Sequence, residues 1–263
     1  MCTGKVSKIS RETMYNAAFA RHYDALTANV NYGLRARYFH AAIKKYSRRK
    51  VRILLDLACG TGSMSWRFSN AGYDVIGVDC SPEMLAVAVA KGRRFPRAKP
   101  PLFLCQAMQE LDLYGTVDAC ICTLDSINHL PDTAALKAVF DRVSLFLAPG
   151  GAFLFDVNTS YKHRNILGNN TFVYETENVV CLWRNTFHKQ GGKVEVSLDF
   201  FERQASGAHT RSTEQFCERI FTHRQLSEAL AQAKLKLIAV HEEGGFDKPC
   251  KNSQRLVYIA QKT

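Results

Sequence analysis

The sequence predicts an α/β protein: a doubly wound, mostly parallel sheet with N-terminal helices and an inserted antiparallel meander. Three observations predict it. From Val51 onward, short β-branched and apolar runs alternate with stretches of helical period, the signature of βαβ units. The runs are almost continuously apolar, as strands covered on both faces are. Between residues 159 and 221 the period changes: Val194, Val196, Leu198 and Phe200 alternate with Glu195, Ser197, Asp199 and Phe201, the pattern of antiparallel strands with one exposed face.

Taken in order, residues 1–47 form a helical cap. The helical stretch is 11–46, with tyrosines at 15, 23, 32, 38 and 46 and no acid between Asp24 and Asp56; Tyr38 and Tyr46 read as core aromatics. The main domain follows over 48–263, interrupted by the meander at 159–221, for which about three strands are expected from the turns at Gln190-Gly191-Gly192 and Ser206-Gly207. The sheet's first five strands are expected at Val51–Asp56, Asp74–Asp79, Leu102–Cys105, Val117–Cys122 and Gly151–Asp156. Ser81-Pro82-Glu83 gives a cap residue, a first-turn proline and a first-turn acid, so a helix starts at Pro82. Leu136, Val139, Phe140, Val143 and Leu147 keep one apolar stripe, which Pro149-Gly150-Gly151 ends. Thr222-His223-Arg224-Gln225 reads as a capping box opening a helix through Leu226 and Leu230, and strand-like Leu235–Val240 and Arg255–Ala260 close the chain.

Composition narrows the function. With 263 residues and 46% hydrophobic content the chain is neither disordered nor a disulfide-stapled miniprotein. No apolar run reaches the ~18 residues of a membrane span, and Met1–Glu12 has no signal-peptide core, so a soluble, cytoplasmic protein is expected. Cys59, Cys80, Cys105, Cys120 and Cys122 fall in or beside apolar runs and read as buried thiols; Cys120-x-Cys122 is the one close pair, without clustered histidines, so no metal site is expected. Thirty-five Lys and Arg against 24 Asp and Glu give a charge of +11, concentrated at Lys44–Arg52 and Lys91–Lys99. Such clusters attract nucleic-acid phosphates. Neither is interleaved with a stacking platform, so both read as solvated surface.

The chemistry is carried by Asp56-Leu57-Ala58-Cys59-Gly60-Thr61-Gly62, placed where the first strand hands over to a helix. Glycines there permit a tight turn and close approach to a ligand. The second strand ends on Asp79, 19 residues beyond Gly60, close to the ~20 at which an acid reaches a ribose diol in nucleotide-type folds. A pyrophosphate would be repelled by Asp56; a nucleoside bearing an amine would not.

These residues, with V-D-C-S-P-E-M at 78–84 and L-A-P-G-G at 147–151, resemble the class I S-adenosylmethionine-dependent methyltransferases. The meander and the F-A-x-x-Y-D-x-L-T segment at 19–27 are most similar to their small-molecule branch, including sugar N-methyltransferases. The resemblance implies a Rossmann-like sheet of seven strands in the order 3-2-1-4-5-7-6, the seventh antiparallel, and S-adenosylmethionine as cofactor. It implies further that Asp56 and the backbone from Ala58 through Cys59 and Gly60 to Gly62 hold the methionine end, and that Asp79 takes the ribose. Cys80 and Met84 would flank the adenine. Where many relatives carry an acid against the adenine amine this chain has Ala107, leaving that contact to the backbone around Met108 or to the Gln109 amide.

Tyr23 and Tyr32, with Tyr15, resemble aromatics that close over the cofactor. By topology the fourth strand opens into the same crevice, so Leu124 would meet the cofactor, with Asp125 and His129 as candidate catalytic groups and Asn128 and Asn158 as residues that orient the methyl acceptor. Trp183, Phe187, Phe200 and Phe201 on the meander would form a lid or an oligomer surface, with a homodimer one option. The expected reaction is methyl transfer to a small-molecule N or O acceptor. Alternatives are an RNA acceptor, favoured by the charge, or a non-catalytic cofactor-binding module.

Overall fold

A computed structural model describes residues 17–263; Tyr15 lies outside them. Two helices, α1 (Ala17–Leu26) and α2 (Tyr32–Tyr46), precede the alternating units β1 (Ile53–Leu57), α3 (Ser63–Asn70), β2 (Asp74–Asp79), α4 (Pro82–Ala90), β3 (Leu102–Cys105), β4 (Val117–Cys122), α5 (Thr133–Phe146) and β5 (Leu147–Asn158). An insertion of four strands follows: β6 (Thr171–Glu175), β7 (Val179–His188), β8 (Lys193–Arg203) and β9 (His209–Arg219). Then α6 (His223–Gln232), β10 (Leu235–Glu242) and β11 (Arg255–Lys262) complete the chain.

The large sheet runs β3-β2-β1-β4-β5-β11-β10. Its first five strands are parallel, and β11 lies antiparallel to both β5 and β10, the order the resemblance implied. Strands β1 and β4 sit side by side, Leu55 against Cys120 and Asp56 against Ile121, so their carboxyl ends open into one crevice. One face of the sheet packs on α5 and α6 through Leu136, Phe140 and Leu230; the other packs on α2 and α3 through Phe39, Ile43 and Phe68. Leu147 pairs with Val117 and Ala152 with Ala119, so a bulge absorbs Pro149–Gly151 and β5 starts earlier than expected. A β-carbon on Gly151 would lie 2.6 Å from the Asp118 carbonyl, so only glycine fits there.

The insertion forms a separate sheet, β6-β7-β8-β9, with one strand more than expected. That strand, β6, is a five-residue edge whose alternation is short. Helix α1 lies between this sheet and the turn after β1. Phe19 meets Phe200 and Phe216 edge-on at 6.1 and 6.3 Å, and His22 and Glu202 pair at 2.5 Å. On its other side Asp24 accepts from Thr61 Oγ1 at 2.7 Å and pairs with Lys91 at 2.7 Å.

Lys91 corrects one expectation. The other basic residues of the two clusters are exposed, but Lys91 is buried and donates to Thr61 and Ser63 as well as Asp24. A buried ammonium needs such partners. The thiols divide similarly: Cys120 and Cys122 are buried and Cys59 is half-buried, whereas Cys80 and Cys105, at the ends of the outer strands β2 and β3, are exposed. No helix among the described residues is long and apolar enough to cross a membrane.

Candidate functional site

The turn after β1 is built from positive backbone angles: φ is +56° at Ala58, +53° at Gly60 and +69° at Gly62. At Gly62 a β-carbon would also come within 2.9 Å of Ala88 Cβ, while at Gly60 it would meet nothing within 4 Å. Gly60 thus presents bare backbone to the crevice that it lines. Asp79 fastens the turn: its carboxylate accepts from the Gly60 N–H at 2.8 Å and from the Ser81 N–H at 2.9 Å. Burial outweighs these two bonds and raises its pKa. Ser81 caps α4 by accepting from the Met84 N–H at 3.1 Å, so Asp79 is not needed for that task.

The crevice encloses 580 Å³, within the range of roughly 300–1,000 Å³ usual for small-molecule sites. Of the residues expected here it gathers Tyr23, Ala58, Gly60, Asp79, Cys80, Met84, Ala107, Met108, Leu124, Asp125 and His129 along its wall, together with Gln109. Four residues expected to hold the cofactor do not line it. Asp56 is buried beneath the turn, accepting from Ser65 Oγ at 2.5 Å, and burial pushes its carboxyl up to about 7. Cys59 and Gly62 shape the turn from behind. Tyr32 stands one layer out, bonding Thr27 Oγ1 at 3.1 Å under the Arg67 guanidinium.

Beyond β4 the chain makes a second unusual turn. Leu124 and Asp125 both take left-handed angles, φ +61° and +54°, which non-glycine residues adopt at a cost of order 1–3 kcal/mol each. Asp156 of β5 holds the turn, accepting the Leu124 N–H at 3.0 Å and the Asp125 N–H at 2.7 Å. Its charge is met by Arg35 at 2.8 Å and Arg255 at 2.7 Å. Arg255 also bonds Asp125 at 2.6 Å. Burial is the largest influence and opposes the charge of Asp125, but Arg255 together with Lys162 and the His129 ring outweighs it and keeps the carboxyl below its ordinary range.

Asn128 does not face the crevice as expected. It is buried, accepts the Asn158 N–H at 2.9 Å and donates to the Arg219 carbonyl at 2.8 Å, tying the end of β5 to the end of β9. Asn158 does line the crevice; its amide donates to Asp125 at 2.7 Å and Glu218 at 3.0 Å, and its oxygen accepts from Lys162 at 3.0 Å.

Glu218, Lys162 and Arg255 are the site residues that sequence reasoning missed. The insertion brings in Glu218 with an aromatic wall of Phe172, Tyr174, Trp183 and Phe216, the last touching the His129 ring at 5.0 Å. Of the expected meander aromatics only Trp183 reaches the crevice; Phe200 is fully buried beneath it. Single ligating atoms of Asp125, His129 and Glu218 lie within 4.8 Å of one another.

Comparison with known proteins meets this geometry. The "Methyltransferase domain" family pattern matches residues 54–151, from β1 into β5. YqeM of Bacillus subtilis (strain 168), named as a methyltransferase, is 31% identical across 95% of this chain and 98% of its own. The chain belongs to the S-adenosylmethionine-dependent methyltransferases. The crystal structure of an S-adenosylmethionine-dependent methyltransferase from Clostridium acetobutylicum superimposes on this methyltransferase with a TM-score of 0.83, at 30% identity over 93% of this chain and 98% of that one. The fold is shared by the sugar N-methyltransferase KedS8 of Streptoalloteichus, with a TM-score of 0.76 at 21% identity over 100% of this chain and 98% of that one. S-Adenosylmethionine fits the methyltransferase's crevice: bare backbone at Gly60, the Asp79 carboxylate and apolar Met84 meet the needs of a nucleoside with an amino-acid tail.

Proposed function

We propose that this methyltransferase transfers a methyl group to the nitrogen of a small-molecule amine held between the carboxyl ends of the parallel strands and the inserted sheet. The observation that carries the reading is the polar end of the crevice, where Asp125, His129 and Glu218 converge against aromatic walls. The sugar N-methyltransferase with the same fold supports it. Both oxygens of Asp125 and one of Glu218 already accept from guanidinium, imidazole or amide groups, which leaves too few carboxylate oxygens to surround a metal ion. An RNA acceptor has only the +11 charge in its favour. The eight free thiols among the described residues suit a reducing, cytoplasmic compartment.

In this reading Asp79 takes the ribose, the Ala58–Gly62 backbone the methionine end, and Cys80, Met84, Ala107 and Met108 the adenine. Asp56 and Ser65 brace the turn from beneath, and Tyr23 covers the methionine end. Tyr32 supports that cover through Thr27. Bound there, S-adenosylmethionine supplies a methyl group already activated on a sulfonium sulfur. The protein's own task is alignment and exclusion of water. The left-handed Leu124–Asp125 turn sets the line of approach, Trp183 and Phe216 exclude water, and His129 takes the proton that an ammonium must lose before its lone pair can attack.

The test is release of S-adenosylhomocysteine from purified protein offered S-adenosylmethionine with matched panels of amino sugars, amino acids and the corresponding alcohols. Turnover with amines is expected. Turnover confined to alcohols or to RNA overturns the reading.

A further inference from the structure

The described residues include a buried side-chain pair, His163 with Glu218, that neither cofactor binding nor the proton transfer at His129 employs. His163, on the helical turn Lys162–Leu167 after β5, is fully buried. Its Nδ1 lies 2.9 Å from the Thr159 carbonyl and its Nε2 lies 3.0 Å from Glu218 Oε2. A carbonyl oxygen only accepts, so Nδ1 carries a proton. Glu218 is 2% exposed and accepts through the same Oε2 from the Asn158 amide, so His163 and Asn158 together fix the position of that oxygen. Burial works against a charged Glu218, but the His163 bond and the neighbouring imidazoles outweigh it and hold the carboxyl well below its ordinary range.

The pair is oriented. His163 sits behind Glu218, while Glu218 itself lines the crevice and brings one oxygen within 4.8 Å of ligating atoms of Asp125 and His129. The other charges around the pair come in balanced sets: Asp125 on the loop after β4 and Asp156 on β5 face Arg255 on β11, and Lys162 reaches Asn158. Arg255 takes up Asp125 and thereby stiffens it. The carboxylate left to meet an incoming donor is the one delivered by the inserted sheet.

We propose that Glu218 is the catalytic carboxylate that receives the acceptor's amine, and that His163 is the positioning residue that fixes its charge and orientation. This rests on the amine reading above. The negative end of the pair points at the crevice, so an N–H bond of the amine is drawn to Glu218 and the nitrogen lone pair is turned toward the methyl group. Glu218 does not become the base; the departing proton goes to His129.

Two measurements test it. Glu218→Gln is expected to leave S-adenosylmethionine affinity within about twofold and to lower kcat/KM for the best amine of an amino-sugar and amino-acid panel about 100-fold, the scale of a truncated buried charge partner. His163→Gln, which keeps one donor and removes the imidazole, is expected to move the acid limb of the pH profile to higher pH as Glu218 loses the bond that favours its charged form; a merely structural role would lower activity without moving that limb. A Glu218→Gln enzyme within threefold of the wild type, or a His163→Gln enzyme whose pH profile keeps the wild-type acid limb, overturns the proposal while leaving an amine-methylating enzyme in place. Turnover of alcohols alone overturns both.

Discussion

Replacing Asp156 by asparagine tests whether one buried carboxylate holds the turn beneath the acceptor. Its oxygens accept two backbone N–H bonds, from Leu124 and Asp125, and two guanidinium bonds, from Arg35 and Arg255. Asparagine keeps the shape, removes the charge and points an NH2 group at donors. Removing one partner from a buried charged cluster costs about 3–5 kcal/mol. The lower end applies, because Arg35 retains Glu243 and Arg255 retains Asp125. About 3 kcal/mol is a large part of the 5–15 kcal/mol that keeps a typical domain folded. At a urea slope of roughly 3 kcal/mol/M it lowers the denaturation midpoint by about 1 M. Urea titration followed by far-UV circular dichroism reads this directly. A midpoint shift below about 0.3 M would show that the two left-handed residues are held by something else.

Asp79→Ala strips the Gly60 and Ser81 N–H groups of their acceptor and is expected to weaken S-adenosylmethionine at least 100-fold by calorimetry; unchanged affinity would refute the ribose assignment. Asp56, with its carboxyl raised to about 7 in the fold against ~3.9 in the unfolded chain, binds more protons folded than unfolded across that window, so apoprotein stability should fall as pH climbs from 4 to 7 and then level. Asp56→Asn should remove this slope, giving a higher urea midpoint than wild type at pH 8 and no advantage at pH 4. The buried Tyr38 hydroxyl has no hydrogen-bond partner among the described residues, so Tyr38→Phe should raise stability by about 1 kcal/mol; a loss on thermal melting would mean that the hydroxyl is paired.

The parts of the molecule that were legible in the sequence are those governed by neighbours in the chain. Strands β2, β3 and β4 fall at the expected residues, and Thr222 and Gln225 make both bonds of the capping box. The spacing from Gly60 to Asp79 became a hydrogen bond of 2.8 Å. What was illegible depends on distant partners. Arg255 meets Asp125 across 130 residues, and no local period announces that. Lys91 stands among exposed arginines, and only the fold brings Asp24 to it. Asn128 looked like a loop residue aimed at ligand because its backbone partners belong to two other strands. Glu218 did leave a trace: Glu214, Phe216 and Glu218 share one phase of β9, and an acid in step with an inward aromatic is an anomaly in an amphipathic strand.

The Asn128 amide closes the base of the inserted sheet by gripping both of its roots, at Asn158 and Arg219. A segment whose entry and exit are stapled together behaves as a cassette, replaceable without disturbing the order of the main strands. On the reading given above, cofactor contacts stay with the scaffold while the aromatic wall and Glu218 travel with the cassette. A chimaera that exchanges the segment between these two roots is therefore expected to fold with the main strands in order and with a different acceptor wall.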